Sequence, residues 1–185
     1  MDEKKNRNNE EEKQYFNKED AYRTLELTNS WVGNVDTKIS FALALVGVLS
    51  AFVFKDGLPS AFQTVIDKGN WSLITGGDII AAIFVALLYL ASFSSLVLLL
   101  LGMMARTKAK GDSIFFFGTI GAKKLEDYKS KIKGYEEEHI KDDLIEQIHT
   151  NSQICKKKMW FYNKGILLIL VTVILWFVCM IFQLI

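Results

Sequence analysis

The chain has 185 residues, half of them hydrophobic, and a formal net charge of +1. That length admits one small unit besides membrane spans and excludes two globular domains. The near-neutral balance hides a segregation, with almost all charge in Met1–Lys38 and Arg106–Lys164, so net charge alone identifies no partner.

Residues 1–14 are rich in Asp, Glu, Lys and Asn and are expected to be disordered. They lack a basic start leading into an apolar core, so they do not read as a cleaved signal peptide. Residues 15–38 read as a cytosolic amphipathic helix running directly into a first span, Ile39–Phe54. At 1.5 Å per residue that stretch covers only about 24 Å of a hydrocarbon core of roughly 30 Å, so it must recruit Val35–Lys38. An external loop, 55–78, leads to a second span, Ile79–Ala105. Its length of about 40 Å predicts tilt or projection into water. A cytosolic insert, 106–164, precedes a third span, Gly165–Ile185.

Orientation follows from the basic residues. The 55–78 loop holds only Lys55 and Lys68, whereas the insert carries Arg106 and a long series of lysines, including Lys108, Lys110, Lys123 and Lys156–Lys158. The N-terminus and insert are therefore placed inside, and the short loop and C-terminus outside, with a re-entrant hairpin as the alternative for the first span. In the first span Ser40, Ala44, Gly47 and Ala51 share one helical face. Small residues in that pattern let helices approach closely in lipid. Packing against the other spans is the favoured reading, and self-association is the alternative.

In the insert, Leu125, Tyr128, Ile132 and Tyr135 form one helical pattern, and Ile140, Leu144, Ile148 and Cys155 a second. Gly134 separates them, which predicts a helical hairpin whose second helix runs unbroken from Glu137 into the third span. The fold class is therefore an all-α membrane protein. Three transmembrane helices carry a small cytosolic helical module, formed by the N-terminal helix and the insert.

Four features carry candidate chemistry. Gln147, Asn151 and Lys158 share a helical face, where an amide pair could read a base edge and an ammonium hold a phosphate. The other reading is a solvated polar face. Asp36 and Lys38 point about 200° apart on a helix, so they cannot pair with each other. Lys38 can snorkel, but Asp36 has a short stem and is expected to face the bundle or a wet cleft, towards a basic group. The run Ile114–Gly118 puts three aromatics at the membrane edge, as an anchor or a small core plug. Alternatively Phe116 or Phe117 stacks a nucleobase, with Gly118 permitting close backbone approach. His139 and His149 have no partner cluster, no Gly-rich phosphate loop or nucleophile elbow occurs, and Cys155 and Cys179 suggest no disulfide or metal site. With so small a soluble part, no enzyme activity, cofactor or metal is expected.

Taken in order, Trp31-x4-Asp36-x-Lys38 entering the first span, Phe116-Phe117-Gly118 after the second, and Asp143-Leu144-x2-Gln147-Ile148-x2-Asn151-Ser152-x-Ile154-x3-Lys158 entering the third resemble the Pycsar transmembrane effectors, PycTM. The resemblance runs from about Tyr15 to the C-terminus. Val35 and Ile39 replace small residues flanking Asp-x-Lys, Thr119 replaces a polar or acidic residue, and Met159 replaces an aromatic. What the resemblance implies is an antiphage effector of the bacterial inner membrane that senses cyclic UMP or cyclic CMP made by a partner pyrimidine cyclase. It then impairs membrane integrity, causing growth arrest or abortive infection, with no nucleic acid as partner. The candidate ligand residues are Asp36, Lys38, Phe116, Phe117, Gly118, Gln147, Asn151 and Lys158. Three spans hardly enclose a pore, so a homo-oligomer is expected. The competing readings are a membrane-anchored interaction protein and a small ion-conducting subunit, neither sensing nucleotide. The thin polar content of spans two and three (Ser92, Ser94, Ser95, Thr172, Gln183) argues against a selective conduit.

Overall fold

Helix boundaries follow from local chemistry. In the computed structural model, which describes residues 16–55, 57–104 and 112–185, helix α1 spans Lys18–Val53. It starts at a reciprocal cap, in which the Asn17 carboxamide oxygen accepts from the Asp20 amide and the Asp20 carboxylate accepts from the Asn17 amide. Helix α2 is Ser60–Lys68, a single 3-10 turn covers Trp71–Leu73, and α3 is Gly76–Met103. A capping box of Thr75 and Asp78 opens α3. Short helices α4 (Phe117–Gly121) and α5 (Leu125–Lys133) precede α6, Glu137–Ile181. Gly134 closes α5. No strand occurs among the described residues. The sequence reading of residues 1–15, and of the basic stretch Arg106–Lys110, lies outside them.

Helices α1, α3 and α6 are each long and apolar enough to cross a membrane. The expected short first span is thus the C-terminal part of a 36-residue helix. The connection between α1 and α3, expected as a plain loop, contains α2.

The chain divides into two compact units, a polar one of residues 1–32 and 106–154, and an apolar one of 33–105 and 155–185. In the apolar unit Val35, Ile39, Ala42 and Val46 of α1 pack on Leu99 of α3 and Ile169 of α6. A second cluster joins Val53, Ala61, Val85, Leu88 and Cys179. Two glycines set how closely the helices approach. A Cβ on Gly165 would stand 2.7 Å from Leu99 Cδ2, and one on Gly102 would stand 3.1 Å from Ile39 Cδ1. Leu99 and Ile39 are both fully buried, so neither has room to yield. The Ser50 and Ser92 hydroxyls meet at 3.2 Å, and Ser95 donates to the Ser92 carbonyl. These hydroxyls are absorbed in packing.

The small-residue stripe follows its favoured reading only at Ser40, whose hydroxyl meets Met103 Sδ of α3 at 3.9 Å. Ala44, Gly47 and Ala51 are exposed, and nothing lies within 4 Å of a Cβ built on Gly47. Bulkier apolar residues on another face of α1 make the contacts with α3 and α6, because they bury more area per residue.

The connection from α1 to α3 is tied down by polar contacts. The Ala61 amide and the Ser60 hydroxyl donate to the carbonyls of Leu184 and Gln183, and Lys68 pairs with Asp78. Tyr89 donates to the Gly57 carbonyl and stacks edge-on against Phe54. Gly69, at φ 56°, ends α2 in the left-handed region that suits glycine.

In the polar unit Ala21, Thr28 and Leu144 are fully or almost fully buried, and Tyr22 meets Phe115 edge-on. Asp112 is held by Lys123 and by Lys131, the latter at 2.7 Å. Both ammonium groups keep the Asp112 carboxyl below its ordinary value, Lys123 more strongly.

Two outcomes follow from these contacts. Gly165→Val forces a side chain into Leu99 and should cost roughly 1–3 kcal/mol, read as a lowered melting temperature in detergent. Because the Asp112 carboxyl is depressed on folding, its clasp contributes fully above the ordinary carboxylate pKa of about 4 and is lost as pH falls below that. Protection of the amides around 112–116, taken relative to their intrinsic exchange, should therefore fall in acid, and Asp112→Asn should show the lowered protection at neutral pH. Protection that is insensitive to acid and equal in Asp112→Asn would contradict the clasp.

Candidate functional site

The polar unit gathers one set of candidate groups around the first half of α6. Helical spacing puts Asp143, Gln147 and Asn151 on successive turns of one face. Asp143 and Gln147 are 8% and 6% exposed, against the rule that carboxylates and amides stay in water. Asp143 Oδ2 accepts from the Ile114 amide at 2.8 Å. Its other oxygen, Oδ1, is sealed from solvent and has no hydrogen-bond partner among the described residues. Gln147 makes no side-chain hydrogen bond among the described residues. Asn151 donates to the Asn29 carboxamide oxygen on α1 at 2.8 Å.

The segment before α4 is built from its own hydroxyls. Ser113 Oγ accepts from the Phe115 and Phe116 amides, and Thr119 Oγ1 donates to the Ser113 and Phe116 carbonyls. Tyr128 donates to the Ile114 carbonyl. This arrangement presents Phe117 at 67% exposure, its ring centroid 4.7 Å from that of Phe116. The space a Cβ would need at Gly118 is filled by the Phe116 ring, 2.5 Å away. The glycine therefore accommodates its own neighbour.

In the apolar unit Asp36 has the basic partner its short stem demands. Lys158 Nζ lies 2.5 Å from Asp36 Oδ1, linking α1 to α6. Lys158 is nearly buried, at 8% side-chain exposure, while Asp36 keeps 37%. A buried ammonium needs a counter-charge, and this carboxylate supplies it. Lys38 is exposed and pairs with no carboxylate among the described residues, as snorkelling requires.

Of the eight residues singled out in sequence, the structure joins Asp36 to Lys158 and sets Phe116 against Phe117. Gln147 and Asn151 lie one turn apart on α6. Sequence reasoning named Asp143 only as the first residue of the motif entering the third span, not as a candidate ligand group, and missed Asn29 altogether. Asp143 stands one turn before Gln147, so the shared helical face was available as a signal. Asn29, 122 residues from Asn151, left none.

The Pycsar effector protein domain matches residues 20–185. A Pycsar effector protein of Gulbenkiania mobilis is 32% identical over 165 residues, covering 80% of this chain and 84% of its own. Another, of Propioniciclava tarda, is 25% identical over 158 residues, covering 80% of this chain and 71% of its own. No solved structure matches the chain. With a domain match over most of its length and three helices able to span a bilayer, the chain belongs to the Pycsar effector family of transmembrane proteins, which implies a part in antiphage defence.

Proposed function

We propose that this protein senses a cyclic pyrimidine mononucleotide, cyclic UMP or cyclic CMP, made by a partner cyclase, and answers by impairing the inner membrane, so that the infected cell stops growing or dies. In this reading the N-terminus and residues 106–164 face the cytoplasm, consistent with the many basic residues of 106–164 against only Lys55 and Lys68 in the short loop. The sensing groups are Gln147 and Asn151, with Phe116 and Phe117 as stacking surfaces for the base.

The observation that carries the reading is the pairing of Lys158 with Asp36. A nearly buried ammonium held by one half-exposed carboxylate is a contact with two clear states, made and broken. Breaking it leaves a charge in apolar surroundings. The cost is less than the roughly 3–5 kcal/mol of a fully buried pair, because Asp36 is partly solvated. Helix α6 carries Gln147 and Asn151 as well as Lys158, and α1 carries Asn29 as well as Asp36. Ligand binding that shifts either helix therefore bears on the pair, by no more than the ligand's difference in affinity for the two states. Because three helices hardly enclose water, the permeability change is assigned to an oligomer.

In liposomes holding the purified protein, cyclic UMP or cyclic CMP should release an entrapped dye. Gln147→Ala should lose that response while inserting normally. Asp36→Asn, which breaks the restraint, should leak without nucleotide, and the swapped pair Asp36→Lys with Lys158→Asp should restore nucleotide dependence. Leakage by no cyclic nucleotide, with wild-type behaviour from both single variants, would remove the proposal.

A further inference from the structure

We infer that Asp143 is the group that selects the ligand's base, accepting a hydrogen bond from a pyrimidine N–H through its unpartnered oxygen. This rests on the nucleotide-sensing reading above and gives that site its specificity-determining residue.

Buried polar atoms almost always have partners, and one that does not calls for a reason. Asp143 is more than nine-tenths buried, yet only one of its two oxygens is used. The used oxygen, Oδ2, takes the Ile114 amide and so fixes the orientation of the carboxylate. Oδ1 is left with lone pairs and no donor. Thr119 and Tyr128 donate to the backbone of 113–116, and Ser113, whose hydroxyl accepts from two amides there, makes no bond to Oδ1 among the described residues. One turn along the same face, Gln147 is largely buried, and its amide, which keeps contact with solvent, makes no side-chain hydrogen bond among the described residues. A carboxylate can only accept, whereas a carboxamide offers two donors and an acceptor.

An acceptor beside a donor is the complement of a pyrimidine edge. Uracil offers N3–H beside its carbonyls, and cytosine offers its N4 amino group beside the acceptor N3, with the O2 carbonyl beyond. Gln147 supplies the N–H for a base carbonyl, and Asp143 Oδ1 receives the base N–H. A site built to take such a hydrogen bond rejects an analogue lacking the donor, because its own polar group then stays buried and unmatched. Oδ1 is sealed from solvent, and the Ile114 amide holds the neighbouring oxygen, so in this inference ligand entry comes with the Asp112–Phe116 segment lifting from α6. The Ile114 amide bond to Oδ2 is the tether that movement strains.

The test pairs ligand and protein changes by calorimetry on the full-length protein in detergent. Cyclic UMP and its N3-methyl derivative, and cyclic CMP and its N4,N4-dimethyl derivative, are compared on wild type and Asp143→Asn. Asparagine keeps an oxygen for the Ile114 amide but puts an N–H where Oδ1 stood. In wild type, methylating the base of whichever nucleotide binds should weaken affinity by about tenfold or more, the loss expected for one well-made hydrogen bond. In Asp143→Asn the parent should bind about tenfold more weakly and the methyl group should make little further difference. Equal binding of parent and methylated ligand by wild type would overturn the inference without recourse to any variant. So would an undiminished methyl penalty in Asp143→Asn, the result if Oδ1 is satisfied only by trapped water. Wild type that binds neither parent nucleotide would instead overturn the sensing reading itself, and this inference with it.

Discussion

A carboxylate and an ammonium at the edge of an apolar helix bundle are tolerable only together. Lys158 is nearly enclosed and needs a counter-charge, and Asp36, which keeps part of its carboxylate in solvent, supplies it. Their bond ties the first long helix to the last, where both begin to turn apolar. An electrostatic contact of this kind, unlike diffuse apolar packing, has a definite broken state. That property suits a protein whose family acts on a signal.

Around that pair the apolar unit obeys the usual demands of a bilayer. Every backbone amide there must be bonded internally, which leaves helices as the available element. Since lipid is as apolar as the side chains, the helices gain from close fit more than from leaving water. Gly165 against Leu99 and Gly102 against Ile39 provide it. The small-residue stripe on α1, made by the same residue types, is left facing outward. Identical chemistry thus serves two different positions, and spacing alone does not distinguish them.

The polar unit works the other way, by consuming its own hydroxyls and carboxylates. Ser113, Thr119, Tyr128 and Asp112 all serve to shape the segment between α3 and α5. Against so thorough a pairing, the unspent oxygen of Asp143 and the unspent amide of Gln147 stand out. Gln147 was legible as a candidate because amide, amide and lysine shared a face. Asp143 was passed over because a carboxylate on a charged helix normally sits in water, and only burial reveals that this one does not.

What the sequence by itself determined is whatever depends on near neighbours. Three apolar stretches, the first needing Val35–Lys38 to reach across, the stop at Gly134 and the unbroken run from Glu137 into the last span all follow from periodicity and composition. So did the need of Asp36 for a basic partner, since that need comes from the length of its own stem. The identity of the partner did not, because Lys158 is 122 residues away and one of many lysines. The capped helix α2, the outward turn of the Ala44–Gly47–Ala51 face and the seal over Asp143 were likewise decided by tertiary structure. Each depends on which surfaces meet, and a one-dimensional pattern carries faces and spacings but not the neighbours that cover them.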